Sequence, residues 1–380
     1  MMTFFLKTRY RYNIILNFNK RFYIEKSTRS NCIAKYVFVS AVNNIFLNLA
    51  LEDWLYQNYD FSQQEILLLW RNTPVVVIGR HQNPWLEANI KQKKEFDLLV
   101  ARRNSGGGAV FHDLQNLNFT FFTSKESYNR RYNLEMITRS IKKEWGIDCD
   151  INSKEDIVYK DYKISGSASK LSRKNSYHHC TLLVDTNKTF MSSVLHSYEK
   201  NIITNATRSK PSTVINLREL NPTVNVERLM TVAGLEYLAT LPLMKLKSCD
   251  VIVEKKGFHL VSPEEKYFPG INENIKQFQS WDWIFGRTPK FKTTILIQLS
   301  ELSNLFSNST DSLHLEIETE NALVCNINIM IPKVLTIISD EMLKDIITVF
   351  YKQKYSENLV TSLKENVFKF LKNKLKDYRT

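Results

Sequence analysis

The sequence predicts a mixed α+β fold made of a larger domain with a mixed β-sheet and flanking helices, and a smaller C-terminal α+β domain. Three observations support this prediction. The chain has 380 residues, enough for two domains at about 150 residues each. Strand-like apolar runs alternate with helical patterns until an aromatic segment at 281–291 (WDWIFGRTPKF). Three strand patterns and then two helix patterns follow it, so we expect domains at 32–288 and 289–380.

In the larger domain, the first expected helix covers 43–58, where the Asn44 side chain can cap the first turn. A second helix over 131–145 should end at Gly146, because glycine readily adopts the left-handed conformation of a helix C-cap. Short apolar runs bounded by turn residues predict strands at 66–70, 75–78, 97–102, 117–123, 156–160, 162–168 and 180–184. The remaining helices of this domain are expected at 189–198, 223–240 and 263–279.

The smaller domain is expected to be an α+β unit of three strands and two helices. Alternating apolar residues predict the strands at 292–299, 312–318 and 322–330. Helical spacing of apolar residues predicts the helices at 339–352 and 356–376.

The net charge of +13 is concentrated at the two ends of the chain. Residues 1–31 hold seven basic residues and one acid, interleaved with aromatic and aliphatic side chains. This pattern is typical of a mitochondrial transit peptide that is cleaved after import. Residues 364–380 contribute a further +4, which leaves +3 for residues 32–363. A basic RNA-binding protein is therefore a remote alternative, since no RNA-binding motif is present either.

Cysteine spacing and hydropathy exclude other classes of protein. The closest two of the five cysteines, Cys149 and Cys180, are 31 residues apart, so we expect no zinc finger. The sequence predicts no definite metal site. An odd number of cysteines in a long chain also favours reduced thiols over a disulfide scaffold. No run of 18 apolar residues is present, so we expect no transmembrane helix and no membrane partner.

The first candidate binding feature is a run of three glycines, 106–108, within ARRNSGGGAVFHD (101–113). Glycines lack a β-carbon and can turn successive N–H groups toward an anion. Arg102 and Arg103 precede them, and planar guanidinium groups suit phosphate or carboxylate. The run matches neither the phosphate-binding P-loop nor the dinucleotide fingerprint. We therefore predict a ligand-binding loop outside the P-loop kinases and the dehydrogenases.

The second candidate feature is Lys163, which precedes the small residues 165–168 (SGSA). A lysine beside a strand of small residues can reach a ligand that lies against that strand, where its ammonium can stabilise developing negative charge. His178 and His179 follow at the start of a predicted strand. Side chains alternate along a strand, so these two histidines should point to opposite faces.

These features together resemble the lipoate-protein ligase A family, and within it the mitochondrial lipoyltransferase branch. The resemblance covers nearly 90% of the chain, from about residue 43 onward. The matching runs are NLALEDW (48–54), LLWRN (68–72), VVIGRHQNPWLEAN (76–89), ARRNSGGGAVFHD (101–113), NFTFF (118–122), KISGSA (163–168), HHCTLL (178–183) and SWDWIFGRTPKF (280–291).

The resemblance implies a catalytic domain related to biotin-protein ligases, an accessory C-terminal domain, and a pocket for lipoate and its adenylate. It implies that Lys163 is the catalytic residue, in contact with the activated carbonyl. The residues it implies in lipoyl or adenylate binding are Leu49, Leu51, Trp70, Arg103, Ser105, Gly106, Gly107, Gly108, Ala109, Val110, His112, Asp156, Ser165, Gly166, Ser167, His179 and Thr181.

The implied function is transfer of a lipoyl group to a lysine of the lipoyl domains of 2-oxoacid dehydrogenase E2 subunits. These are the pyruvate, 2-oxoglutarate and branched-chain enzymes, with glycine-cleavage H protein as a further partner. The donor would be lipoyl-AMP or a lipoylated carrier. A complete ligase that makes lipoyl-AMP, with ATP and Mg, is the alternative. We expect a monomer in the mitochondrial matrix, without nucleic acid. Lipoyl domains and H protein are typically acidic, so the basic terminal helix could help to dock them.

Two questions about the chemistry stay open at this point. Cys180 replaces a glycine that is common in the family, which raises a thioester mechanism as an alternative, and Cys149 is a weaker candidate of the same kind. A cysteine inside a strand more often serves as a small apolar residue. No general base for the acceptor amine is evident, and His112 and Asp113 are candidates only by proximity to the glycine run.

Overall fold

The computed structural model describes residues 32–90, 98–196, 201–243, 251–302, 306, 309–335 and 338–377. The predicted transit peptide at 1–31 lies outside these residues. The described chain forms two compact units, each assembled from three stretches of sequence. The first unit contains 32–75, 112–188 and 211–276, and the second contains 76–111, 189–210 and 277–377. The sequence-based division at residue 288 remains a prediction. The two compact units divide the chain differently, because the glycine run falls in the same unit as the C-terminal residues.

The first unit is built on a six-stranded sheet, and the mixed strand directions that the sequence predicts are confirmed. Strand β1 pairs in parallel with β2 and β13, whereas β6 is antiparallel to β2 and β11, and β10 is antiparallel to β11. The order across the sheet is β10-β11-β6-β2-β1-β13. The strands are β1 (Cys32–Ser40), β2 (Gln64–Trp70), β6 (Asn116–Ser124), β10 (Ser167–Leu171), β11 (Asn175–Leu183) and β13 (Ile252–Val261).

Two helices of the first unit have the capping residues that the sequence predicts. The Asn44 side chain accepts hydrogen bonds from the N–H groups of Phe46 and Leu47, which confirms the predicted cap of α1. Gly146 closes α3 in the left-handed conformation, also as predicted. A large apolar core packs α3 and α6 against the sheet. The helices are α1 (Ile45–Asn58), α3 (Arg130–Trp145), α5 (Leu217–Leu220), α6 (Val226–Ala239) and α7 (Ile271–Gln279).

The sequence analysis missed two strands that border each other at the edge of the sheet, β1 and β13. Charge explains both omissions. Lys35 interrupts the apolar run of β1, although its side chain is buried. β13 contains Glu254, Lys255 and Lys256, and all but one of its residues are exposed or half-buried, as suits an edge strand.

The predicted single strand at 162–168 is wrong. The structure has β9 (Tyr162–Lys163) and β10 with a break between them. The Ser165 hydroxyl accepts from the Ile157 N–H (2.8 Å), and the Thr181 hydroxyl accepts from the Gly166 N–H (3.0 Å). At the break, these side-chain hydrogen bonds satisfy backbone N–H groups that a strand would pair with a neighbouring strand. β9 belongs instead to a small antiparallel sheet with β7 (Asp150–Ile151) and β8 (Ile157–Tyr159).

Two further predicted boundaries are shifted. β11 begins at Asn175 rather than at 180, so the two histidines lie inside the strand. α7 begins at Ile271 rather than at 263. Gly270 before it has a φ of 85°, and the Glu265 carboxylate accepts its N–H, so the preceding residues form turns rather than helix.

The second unit contains two sheets and a separate apolar core. Its three-stranded sheet has the order β4-β3-β5, and its four-stranded sheet has the order β12-β14-β15-β16. Apolar residues of the larger sheet pack with two C-terminal helices, which lie where the sequence predicts helices. The strands are β3 (Val75–Ile78), β4 (Leu99–Arg102), β5 (Val110–His112), β12 (Ile202–Thr204), β14 (Phe291–Gln298), β15 (Ser312–Glu320) and β16 (Leu323–Met330).

The helices of this unit are α2 (Pro84–Glu87), α4 (Lys188–Val194), α8 (Trp281–Ile284), α9 (Leu299–Leu302), α10 (Asp340–Thr348) and α11 (Glu357–Asp377). Buried leucines and Val367 follow one side of α11, and exposed lysines follow the other. Among the described residues, no helix is long and apolar enough to cross a membrane.

Lys35 predicts how the stability of the first unit depends on pH. Its ammonium donates to the carbonyls of Tyr237 (2.7 Å) and Thr240 (2.6 Å), and the Glu65 carboxylate lies 3.9 Å away. Burial lowers the pKa of Lys35 from 10.5 to about 8. Between these values the unfolded chain holds more protons than the folded chain, so stability rises with pH.

We expect the free energy of unfolding to gain about 2 kcal/mol from Lys35 between about pH 7.5 and 9.5. Urea unfolding at a series of pH values measures this gain. Lys35→Met should remove it, because methionine fills the same space without a proton to lose. An equal rise with pH in Lys35→Met would show that another group is responsible.

Candidate active site

Lys163 is held at a fixed place in the first unit. Its N–H donates to the Thr213 carbonyl (2.9 Å), and its carbonyl accepts from the Ile215 N–H (3.1 Å). The ammonium lies 2.9 Å from the Asp156 carboxylate, and the side chain is 28% exposed. Asp156 uses one of three ammonium donors, so the others can reach a ligand from the surface.

The small residues after Lys163 leave room beside its ammonium, as expected. A β-carbon at Gly166 would lie 3.7 Å from the Lys163 Nζ. Ser165 and Thr181 fix the backbone here through the hydrogen bonds described above, and Ser167 lies on β10. A partly shielded ammonium next to a glycine can contact an oxygen that gains negative charge during a reaction.

A buried chain of hydrogen bonds joins β2, β6, β11 and α1. The Glu52 carboxylate accepts from His179 (Nδ1 to Oε1, 2.8 Å) and from the Thr120 hydroxyl (2.7 Å). The Thr120 oxygen in turn accepts from the Trp70 indole N–H (3.0 Å). All four residues are less than 9% exposed. The chain fixes the ring orientations of His179 and Trp70, two of the predicted site residues.

The sequence analysis missed Glu52 and Thr120. The signal for Glu52 was its position three residues after Leu49 and three before Leu55, within the apolar spacing of α1. Most of α1 is buried, so both Leu49 and Leu51 are inside the protein. These two leucines lie about 200° apart around the helix, and so they do not share a face.

His178 and His179 point in opposite directions, as strand alternation predicts. The His178 ring lies 3.3 Å from both the Asn133 amide and the Ser167 hydroxyl, rather than against Glu52. Burial lowers the pKa of His178 well below its ordinary value, so this ring is neutral. His178 is therefore a neutral, hydrogen-bonded core residue.

The two residues proposed as general bases have structural contacts in the first unit. The His112 Nδ1 lies 2.9 Å from the Asn72 amide, and its ring packs edge-on against Trp70. The Asp113 carboxylate accepts from the backbone N–H groups of Gln115 (2.9 Å) and Asn187 (3.1 Å). Asp113 thus stabilises two neighbouring turns, and the identity of a base remains a prediction.

In the second unit, Arg103 holds the glycine run by its carbonyls. Its guanidinium donates to the carbonyls of Gly106 (2.6 Å), Gly108 (2.8 Å) and Val77 (3.2 Å), and to the Ser105 hydroxyl (2.9 Å). No described residue accepts a hydrogen bond from the N–H groups of residues 106–108. Three consecutive N–H groups without an acceptor can bind an anion.

Two glycines make this loop conformation possible. Gly107 has a φ of 87°, a region that residues with a side chain rarely adopt. A β-carbon at Gly79 would lie 2.2 Å from the Gly107 carbonyl oxygen, so only glycine permits this approach. Val110, in contrast, lies at the start of β5.

Arg102 differs from the expectation that both arginines serve an anion. Its guanidinium is fully buried and donates to five backbone carbonyls and to the Thr288 hydroxyl. Burial lowers its pKa. It therefore joins β4 to the turn after β3 and to the region of α8. The five carbonyls are those of Gly79, Arg80, Gln82, Trp283 and Ile284.

The two cysteines proposed as alternative nucleophiles are buried. Burial raises the pKa of Cys180 well above its ordinary value and that of Cys149 to about 12. The thiolate is the reactive form, so both thiols are poorly suited to attack at neutral pH. Cys180 packs in the apolar core of the first unit.

Comparison with known proteins identifies the class. A model of the lipoyl protein ligase A/B catalytic domain matches residues 44–236. The chain therefore belongs to this family of enzymes, and the resemblance noted from its motifs is confirmed. It is 41% identical to "Lipoyl amidotransferase LIPT1, mitochondrial" of Homo sapiens over 77% of this chain and 75% of that protein. The mouse (Mus musculus) protein of the same name is 45% identical over 67% and 66%.

A solved structure supports the fold. The crystal structure of P. falciparum LipL1 in complex with lipoate is 26% identical, with a TM-score of 0.54. The match covers 90% of this chain and 99% of that one. The mixed α+β fold is therefore that of the lipoate-protein ligases.

Proposed function

We propose that this enzyme transfers the lipoyl group of lipoyl-AMP to the amine of a lysine on a lipoyl domain. Family membership and the similarity to two lipoyl amidotransferases support lipoyl transfer. The observation that carries the mechanism is the fixed, partly exposed ammonium of Lys163 beside Asp156. The donor and the acceptors are proposed from the motif resemblance.

The reaction is acyl transfer without a redox step. The acceptor amine attacks the lipoyl carbonyl, a C–N bond forms, and the C–O bond to the phosphate breaks. AMP leaves, and the amine loses a proton to a base or to water. Negative charge grows on the carbonyl oxygen and then on the leaving phosphate. We assign its stabilisation to the Lys163 ammonium, which the Asp156 carboxylate (2.9 Å) orients on a backbone held by hydrogen bonds.

We assign the glycine loop to the phosphate of the adenylate. Its three N–H groups lack an acceptor among the described residues, and Arg103 fixes its carbonyls. Direct contacts of the other predicted binding residues with lipoate or the adenylate remain proposals of the same kind. His179 and Trp70 are assigned to lipoate, since Glu52 and Thr120 hold both rings in place within the core.

We propose the mitochondrial matrix as the location, and E2 lipoyl domains and H protein as partners. The two similar amidotransferases are named mitochondrial, and residues 1–31 have the composition of a transit peptide. Deleting residues 1–30 should abolish import of a tagged protein into mitochondria. Unchanged import would contradict the transit peptide but would leave the proposed reaction untouched.

Two assays on the purified protein test the reaction. Lipoyl-AMP and an apo lipoyl domain should yield the lipoylated domain, which mass spectrometry detects as an added lipoyl mass on one lysine. Absence of this product would refute the proposal. The alternative, a complete ligase, predicts strong exchange between pyrophosphate and ATP in the presence of lipoate and Mg²⁺. We expect little exchange.

The basic side of α11 predicts a salt-dependent effect on the acceptor. Lys369 and Lys372 are both exposed there. Reversing both charges (Lys369→Glu with Lys372→Glu) should raise the KM for an acidic lipoyl domain about tenfold at low salt, with kcat unchanged. The difference should shrink at high salt, since exposed charges are screened.

The matched control reverses Lys333 and Lys344, which are exposed elsewhere in the same unit. If that pair raises the KM equally, then net charge and not α11 is responsible, and docking on α11 is refuted.

A further inference from the structure

Ser209 lies against the glycine loop within the second unit. Its hydroxyl oxygen accepts hydrogen bonds from the Ala109 N–H (2.7 Å) and from the Gln82 side-chain amide (3.1 Å). A β-carbon at Gly108 would lie 3.1 Å from the same oxygen. Ser209 thus accepts a hydrogen bond from the N–H group that directly follows the three glycines. It also packs against Gly108, the last of the three.

Two buried residues hold Ser209 in place. The Glu87 carboxylate accepts the Ser209 backbone N–H (3.2 Å) and lies 3.4 Å from the Arg208 guanidinium. The Gln82 side chain donates to Ser209 and accepts the Gly79 N–H (2.8 Å). The Gly107 carbonyl lies in close contact with Gly79. Gln82 therefore joins Ser209 to the support beneath the loop, and both Gln82 and Glu87 are less than 5% exposed.

We propose that Ser209 is a positioning residue that holds the glycine loop in its ligand-ready conformation. Arg103 fixes the carbonyls of Gly106 and Gly108, and Ser209 fixes the amide of Ala109. The loop is then held from both sides, and the amides of 106–108 stay available for the adenylate phosphate. The assignment of that phosphate rests on the proposed function, but the ordering of the loop does not.

The physical reason is the conformational entropy of glycine. A run of three glycines has more backbone freedom than any other tripeptide, and ordering it costs free energy for each residue. If Ser209 orders the loop before the ligand arrives, this cost does not weaken binding. Loss of the hydroxyl should therefore weaken ground-state binding of the adenylate, while the chemical step at Lys163 keeps its rate.

The kinetic test compares Ser209→Ala with Ser209→Thr in the full chain. Ser209→Ala should raise the KM for lipoyl-AMP about tenfold with kcat within twofold, and Ser209→Thr should recover most of the loss by keeping the hydroxyl. Glu87→Ala should raise the KM in the wild-type background but add little to Ser209→Ala, because it acts through the same residue. An unchanged KM in Ser209→Ala would overturn the proposal.

Amide hydrogen exchange tests the ordering independently of the reaction. Ser209→Ala should speed exchange in a peptide that covers 105–110, at least tenfold at Ala109. Ser193→Ala is the control, since that hydroxyl donates to the Phe190 carbonyl of its own helix (2.8 Å) and not to the glycine loop. Unaltered exchange in Ser209→Ala overturns the positioning role. Faster exchange in a protein without transferase activity would uphold it and refute the proposed function alone.

Discussion

Replacing Lys163 with alanine is expected to abolish lipoyl transfer while the fold stays intact. Removing one preorganised donor at a developing oxyanion costs about 3 kcal/mol or more of the barrier, which is at least a hundredfold in rate. Stability should change little, since the side chain is partly exposed and makes one ion pair, with Asp156. Single-turnover transfer from lipoyl-AMP to a lipoyl domain, followed by mass spectrometry, measures the loss.

Lys160→Ala is the matched control, because Lys160 is an exposed lysine of the same hairpin. Its activity should stay within about twofold of the wild type, because the only described contact of this exposed side chain is with the Tyr159 ring (5.6 Å). Urea unfolding of both variants separates a catalytic loss from a folding defect. If Lys163→Ala keeps a transfer rate within threefold of the wild type, Lys163 is not the catalytic residue.

The largest loss of stability is expected from Arg102→Met. The change removes the shared donor of five backbone carbonyls, four of them in buried bonds, and of the Thr288 hydroxyl. The Gly79 carbonyl keeps a bond from the Gln82 N–H (3.2 Å). Each unsatisfied buried group costs about 1–3 kcal/mol, and relaxation recovers part of the sum. We expect the second unit to lose roughly 3–5 kcal/mol. Arg102→Lys should lose slightly less, because an ammonium keeps the charge but has only three donors.

Urea unfolding followed by tryptophan fluorescence measures this loss, since the Trp283 indole donates to the Arg102 carbonyl (2.7 Å). Arg287→Met is the control: Arg287 is exposed near the same tryptophan and should cost less than about 1 kcal/mol. Equal midpoints for the two variants would mean that Arg102 is not the structural centre described above.

Elements with a clear periodicity could be predicted from the sequence. The strand at 75–78 and the helix that ends at Gly146 have the predicted limits, within one residue. β1 and β13 could not be predicted, because the charges of Lys35 and Glu254 obscure their pattern. A sequence does not show that a buried lysine will find carbonyl acceptors 202 residues away.

The same limit applies to the site. Lys163 and the glycine run could be located by their neighbours in sequence, because their chemistry depends on adjacent small residues. The partners of His179 could not, since Glu52 is 127 residues away. Arg102 is the clearest example of this limit. The sequence shows that Arg102 has hydrogen-bond donors, but it does not show that backbone carbonyls are the acceptors.

The bonds of Arg102 also bear on the order in which the protein folds. This residue lies 181 and 182 residues before the Trp283 and Ile284 carbonyls that it binds. Contacts of such high sequence separation form late, because a long loop must close first. The ribosome synthesises the N-terminal residues first. The segment around the glycine run should therefore reach its native structure only after residue 284 has been synthesised. Until then we expect proteases to cleave this segment and chaperones to bind it.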